Sequence, residues 1–300
     1  MRNSGGEQGG RGPVDIVIPT YNRASLLPET LKSVQNQSYP YWRCWIAEDG
    51  ETPATLDALQ PFLEDERFRY LPGKHIGAPA APRNRAIQGG NAGYIAFLDD
   101  DDLWRPEKLE RQVEFMTRHP GCVLLGCNAY RWPGAEEWTP SLPLYFKKKD
   151  RFGKVAYPDL VQDNYFITSS VLIRRTVLKE SGLFSETIPP PIEDYELWLR
   201  ISALGEAWLM PEPLVLYREN ISTFYPKLDR RQSYQLKAKI FEFALEGVAG
   251  TESPLSHPER GRYAAACRRE RDFYLAGPRF LGRFRHEILS KIRNRLSFLL

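Results

Sequence analysis

The sequence predicts an α/β fold in which a mixed, largely parallel sheet is flanked by helices and followed by a helical extension. Three observations predict it. From Val14 to Met116, short β-rich runs alternate with runs of helical periodicity, the rhythm that builds parallel strands with helices on the sheet faces. An apolar run of strand length, Tyr94 to Leu98, breaks into four consecutive aspartates, Asp99 to Asp102, which puts acids at the carboxyl end of an interior strand, where open α/β sheets bind ligands. Beyond Tyr217-Arg218 the pattern turns helical to the end.

Taken in order, residues 1–12 are Gly-rich and polar and read as a flexible tail. Val14 to Ile18 is a strand closed by Pro19-Thr20-Tyr21-Asn22, and Leu26, Leu27, Leu31 and Val34 follow at helical spacing. Trp42 to Ala47 is the next strand, Glu48 to Pro53 a turn, Ala54 to Leu63 a helix and Arg67 to Leu71 a strand. A helix over Ala80 to Gln88 carries Arg83, Asn84 and Arg85, and Gly89-Gly90 ends it. After the aspartates, Pro106 opens a helix whose buried face is Leu109, Val113 and Met116. Val123 to Tyr130 and Ile167 to Ile173 read as strands, with a long loop from Arg131 to Arg151 whose length points to substrate contact. Arg174 to Ser181 is helical, and Asp194 caps a helix running from Tyr195 to Leu204. Three segments result: a tail at 1–12, a catalytic domain at 13–225 and a helical extension at 226–300.

The chain has 300 residues, 42% of them hydrophobic and 26% charged, enough to bury a sizeable core. A net charge of +3 is too slight for a dedicated nucleic-acid binder. Cys44, Cys122, Cys127 and Cys267 show neither metal-ligand spacing nor a disulfide framework, which fits a reduced, cytoplasmic setting. No h-region and no run of 18 apolar residues occurs, so neither standard secretion nor a membrane span is expected.

Two like charges about 4 Å apart near a protein surface repel by roughly 4 kcal/mol, so four adjacent carboxylates ask for a cation. If the strand's alternation continued, Asp99 and Asp101 would face one way and Asp100 and Asp102 the other. Such a D-x-D pair suits Mg²⁺ or Mn²⁺, which keep an octahedral oxygen shell with positions open to substrate phosphates.

Five stretches in order resemble the family 2 glycosyltransferases, inverting enzymes of the GT-A fold, over roughly residues 13–222. They are Val17 to Arg23, Glu48-Asp49-Gly50, Arg83-Asn84-Arg85, Phe97 to Trp104 and Glu193 to Trp198. The resemblance implies a nucleotide-diphosphate sugar donor, UDP-linked or dTDP-linked, and a saccharide or lipid-linked saccharide acceptor in bacterial surface-polysaccharide synthesis. It implies that Pro19, Thr20 and Tyr21 hold the nucleotide, with the Tyr21 ring on the base, and that Asp49 accepts from the base imide. Asp49-Gly50 is also the composition of a simple turn. Arg83 would meet phosphate and Asp100 the ribose, with Asp99 and Asp101 on Mn²⁺ or Mg²⁺; in four acids this register can slip by one. Asp194 would take the acceptor's proton, with Glu193 as its substitute, and a helix N-terminus favours the ionised carboxylate. Trp104 and Trp198 read as core or cleft wall. The chain departs from the family pattern at Glu48, where a second Asp is commoner, and at Asn220, where many members have His.

Arg279 to Leu300 reads as a basic amphipathic helix, fit to lie on the anionic inner face of a plasma membrane, to pack on the catalytic domain or to join a second subunit. Two alternatives stand beside the transferase: a haloacid-dehalogenase-type phosphatase, whose nucleophile loop is also a D-x-D after a strand, and a non-catalytic nucleotide-binding assembly partner.

Overall fold

Every residue of β1, Val14–Thr20, is buried, and that is why this β-branched run forms the middle of the sheet and not an edge. It pairs in parallel with β2, Trp42–Glu48, on one side and β4, Tyr94–Phe97, on the other, while β3, Phe68–Leu71, extends the parallel set beyond β2. The connecting helices are α1, Leu27–Gln35, α2, Pro53–Leu63, and α3, Ala80–Gly89. The computed structural model describes residues 12–134, 139–147, 151–188 and 190–219, together with 235, 238–242, 245 and 257–276.

The second half of the sheet is mixed. β5, Leu103–Trp104, leads into α4, Lys108–Arg118, and then the long β6, Cys122–Trp132. β7, Gly153–Val155, and α5, Tyr157–Gln162, precede a 3-10 turn at Thr168–Ser170, β8, Leu172–Arg174, and α6, Arg175–Ser181. α7, Glu193–Ser202, is followed by β9, Glu206–Arg218. The strand order is β3-β2-β1-β4-β8-β6-β9-β5, with β7 beside β9. β8 runs antiparallel to both β4 and β6, and β5 and β7 run antiparallel to β9, so parallel pairing gives way to mixed pairing past β4.

Two elements differ from the sequence expectation. Ile167 to Ile173 is not one strand, because Ser170 turns back on Ile167, its N–H and hydroxyl both donating to that carbonyl at 2.8 and 2.7 Å. Side-chain hydroxyls that bond nearby backbone compete with a strand ladder in this way. β9, a segment for which no element is expected from the sequence, contains Pro211 and Pro213; the register shift at Asn128, opposite Pro213, shows how the strand absorbs them. Trp198 packs on Phe97 and Phe184 at ring-centroid distances of 5.7 and 6.1 Å and, like Trp104, is a core residue, which seats α7 beside β4.

The chain divides into two compact units, Met1–Phe224 and Tyr225–Leu300. In the second, α8, His257–Ala276, is the described helix; Phe241 and Tyr274 stack at 5.9 Å, and Ala238, Ile240, Phe241 and Cys267 are buried. The helix predicted over Arg279 to Leu300 lies outside the described residues, as does Asn220.

Candidate active site

The aspartates do not continue the strand. Asp102 N–H donates to the Asp99 carbonyl at 3.2 Å, closing a turn, so the expected alternation of faces is lost and each acid has its own surroundings. The Thr30 hydroxyl, from α1, lies 3.0 Å from the carbonyls of both Asp100 and Asp102 and pins the turn to the helix. Asp102 is the buried member: its carboxylate accepts from Ser169 Oγ at 2.6 Å and from the Arg218 N–H at 2.8 Å. These two bonds tie the turn to the Thr168–Ser170 segment and to the end of β9. Arg218, buried at the end of β9, also donates to the Asp101 carbonyl at 2.7 Å and to Glu29 at 2.6 Å. Sequence reasoning used Arg218 only as a boundary, since nothing local marks an arginine whose partners lie far away in the chain.

Asp99 Oδ1 accepts from Arg83 Nη2 at 2.7 Å, and Arg83 Nη1 donates to Glu193 Oε1 at 2.7 Å. Arg83, expected to meet phosphate, is buried, and its guanidinium clamps one carboxylate of the acidic turn and one of α7. Burial opposes its charge, but Asp99 and Glu193 outweigh that and hold its pKa above the usual arginine range. Arg23 Nη1 stands 3.8 Å from Asp101 Oδ2. Burial first, and then the neighbouring negative charge, pushes Asp100 up to about 7 and Asp101 up to about 6. Among the described residues no three His, Cys, Asp or Glu side chains form a complete metal cage.

Pro19 and Thr20 are buried at the end of β1, and Asp49 N–H donates to the Thr20 carbonyl at 2.8 Å, which brings the two predicted nucleotide loops together. Tyr21 is exposed, and its ring stacks on His75 with centroids 4.3 Å apart. Asp49 is buried; it accepts from the N–H groups of Ile76 and Gly77 at 2.7 and 2.8 Å, with His75 Nδ1 3.1 Å away. His75 was passed over because a lone histidine in a loop carries no spacing signal. Glu48, set aside as a family departure, accepts from Thr52, Thr55 and Tyr70 and anchors the start of α2.

α7 begins at Glu193 with Ile192 at its cap, two residues earlier than expected, so Asp194 lies inside the first turn and does not cap it. Its Oδ1 accepts from the Tyr195 N–H at 2.6 Å and its Oδ2 from Thr168 Oγ1 at 2.7 Å. The expectation that the helix N-terminus keeps it readily ionised is corrected: burial, followed by the Glu193 charge, raises Asp194 to about 7. A carboxylate with that midpoint, partly buried in the first turn of α7, has the basicity to take a proton near neutrality.

Parallel strands ending in an acidic turn, with a second acidic pair on α7 joined to it through Arg83, make the arrangement of the GT-A fold. Solved structures share that fold: Staphylococcus aureus TarS residues 1–349 in complex with UDP-GlcNAc, at a TM-score of 0.66 and 15% identity over 86% of this chain and 72% of that one; and the mannosyltransferase PcManGT from Pyrobaculum calidifontis in complex with GDP-Man and Mn2+, at 0.61 and 17% over 96% and 81%. The sequence matches Glycosyl transferase family 2 over residues 15–182, and the chain belongs to that family. The Bacillus subtilis (strain 168) protein named Putative teichuronic acid biosynthesis glycosyltransferase TuaG is 38% identical over 68% of this chain and 78% of its own length. The UDP-Glc:alpha-D-GlcNAc-diphosphoundecaprenol beta-1,3-glucosyltransferase WfgD of Escherichia coli is 26% identical over 63% and 69%. The match spans only 26% and 30% of two Rickettsia relatives, from R. bellii and R. felis, each named Uncharacterized glycosyltransferase. Family membership displaces the phosphatase alternative. Among the described residues no helix is long and apolar enough to cross a membrane.

Proposed function

We propose that this glycosyltransferase is inverting and moves a sugar from a nucleotide-diphosphate donor, UDP-linked in preference to dTDP-linked, onto a hydroxyl of a saccharide or lipid-linked saccharide in bacterial surface-polysaccharide synthesis. The observation that carries the reading is Asp194: a partly buried carboxylate raised to about 7, oriented by two hydrogen bonds, across Arg83 from the acidic turn. The names of TuaG and WfgD support the polymer setting and the lipid-linked acceptor. In a single displacement the acceptor hydroxyl attacks the anomeric carbon from the face opposite the departing diphosphate, and Asp194 takes the hydroxyl proton. Tyr21 offers its exposed ring to the base, Asp49 its remaining acceptor capacity to the imide, the Pro19-Thr20 backbone its closeness, and Asp100 its carboxylate to the ribose.

A divalent cation, Mn²⁺ or Mg²⁺, fits the donor set. Burial first, and then the neighbouring acids, raises Asp100 and Asp101 against the partial offset of Arg23, a balance that a cation would shift toward the ionised forms, and the protein oxygens available make only part of an octahedral shell. Asp101 would hold the ion, with Asp99 through the oxygen that Arg83 leaves free. When bound, the ion neutralises charge building on the leaving diphosphate. The reading is tested by thermal shifts across UDP-, dTDP-, GDP- and CMP-sugars with and without Mn²⁺. Stabilisation of roughly 2.7 kcal/mol at about 100 times the dissociation constant, for UDP-sugar with metal only, is the expected result. No response to any nucleotide overturns it.

A further inference from the structure

The turn Thr168–Ser170 is buried, yet its hydroxyls reach both acidic groups of the site. Thr168 Oγ1 donates to Asp194 Oδ2 at 2.7 Å. Its neighbour Ser169 accepts from the Asp99 N–H at 3.0 Å and donates to Asp102 at 2.6 Å. The turn is fixed from behind as well. Trp104 Nε1 donates to the Ser169 carbonyl at 2.7 Å and Gln112 Nε2 to the Ser170 carbonyl at 2.8 Å. Gln112 is in turn held by the buried Lys108, whose ammonium donates to it at 2.6 Å and lies 3.9 Å from the Trp104 ring centroid. A hydroxyl held this rigidly has little freedom to follow a moving partner, so it dictates where the partner stands.

The geometry points to Thr168 as a positioning residue for transfer: its hydroxyl, locked in the turn that also grips the acidic loop, fixes the plane of the Asp194 carboxylate and favours its ionised form. This inference rests on Asp194 being the proton acceptor. The Tyr195 N–H restrains one carboxylate oxygen and Thr168 the other, which together leave no freedom about the terminal torsion. A carboxylate offers about four lone-pair positions, so two remain for an incoming hydroxyl. The charged and titratable groups that act on Asp194 are Glu193 on the same helix, Arg83 from α3 and Tyr145 from the segment 139–147. Glu193 opposes ionisation, whereas Arg83, Thr168 and the Tyr195 N–H favour it. Removing the hydroxyl takes away a donor to the charged form and leaves the burial in place.

The test is a carboxyl-carbon NMR titration of the full chain labelled at aspartate, with Asp194 assigned from the Asp194→Asn spectrum. Thr168→Val is expected to raise the Asp194 midpoint by about one pH unit, the size of one hydrogen bond to a charged group. Thr168→Ser, which keeps the hydroxyl, is expected to leave it within a few tenths of a unit; should Thr168→Val fail to fold, Thr168→Ala carries the same expectation. An unchanged midpoint in the valine or alanine variant, or an equal shift in the serine variant, overturns the proposal. The underlying reading fails separately: if Asp194→Asn retains transfer, the base is wrong whatever Thr168 does, and if Asp194→Asn is inactive while Thr168→Val leaves the midpoint in place, only the positioning role is lost.

Discussion

The acidic turn after β4 and the acidic pair that opens α7 are built from the same side chains and end up with different chemistry. Arg83 stands between them and pairs with one carboxylate of each, Asp99 on the turn and Glu193 on the helix. What is left over differs. On the turn, Asp100 and Asp101 are raised by burial and by their acidic neighbours, while Asp102 is withdrawn into bonds with Ser169 and Arg218. On the helix a single carboxylate, Asp194, is left, held by neutral donors and raised to about 7. A shared guanidinium thus leaves two raised carboxylates on one side and a single one on the other; under the proposed function the first pair meets the cation and the second takes the proton.

The comparison breaks most sharply at the helix. Asp194→Asn is expected to lower kcat by about 10³-fold, within the range general-base catalysis supplies, while donor KM stays near the wild-type value in a steady-state assay of nucleotide release. Next in size is the shared clamp. Arg83→Leu strands two acids beside a buried apolar side chain, so denaturant unfolding is expected to show a loss of about 3–5 kcal/mol, less for Arg83→Lys, which keeps the charge but not the fork. A loss below about 1 kcal/mol would show that the two acidic groups do not depend on one cation.

Most of the first half of this arrangement was legible in the chain. Period and punctuation mark Val14 to Leu98 because β1 and β4 are fully buried and α1 is amphipathic, so local pattern and final packing agree there. The acids themselves stand out for the same reason: a charged run directly after an interior strand has no bland place in a core. Past β4 the local signals part from the structure. Ser169 and Ser170 look like strand residues until their hydroxyls are seen bonded to Asp102 and Ile167, and β9 contains prolines that sheet pairing tolerates only through an irregular register. The type and place of Arg83 suggest a phosphate contact, while its ion pair with Glu193, 110 positions away, is beyond what spacing can reveal.

Smaller effects sharpen the turn. Asp101→Asn is expected to abolish the Mn²⁺-dependent part of the UDP-sugar thermal shift and to leave the metal-free melting temperature level or slightly higher; a full metal response in this variant would move the ion elsewhere. The pH dependence of stability gives the mildest test. Asp100 and Asp101 have folded-state midpoints of about 7 and about 6, above the unfolded carboxylate value near 4, so the unfolded chain ionises first. Their contribution is present below about pH 4 and is lost as pH rises through about 6 to 7 in metal-free protein. Asp100→Asn is expected to flatten that decline by about 1 kcal/mol in urea titrations, and Mn²⁺ to flatten it in the wild type.

The most direct measurement is the pH profile of kcat at saturating donor and Mn²⁺, taken from about pH 5 to pH 9. With Asp194 as the acceptor of the proton, the rate rises tenfold per unit up to a midpoint near 7 and is level above it. A flat profile across the same range in an enzyme that Asp194→Asn leaves active would contradict the account.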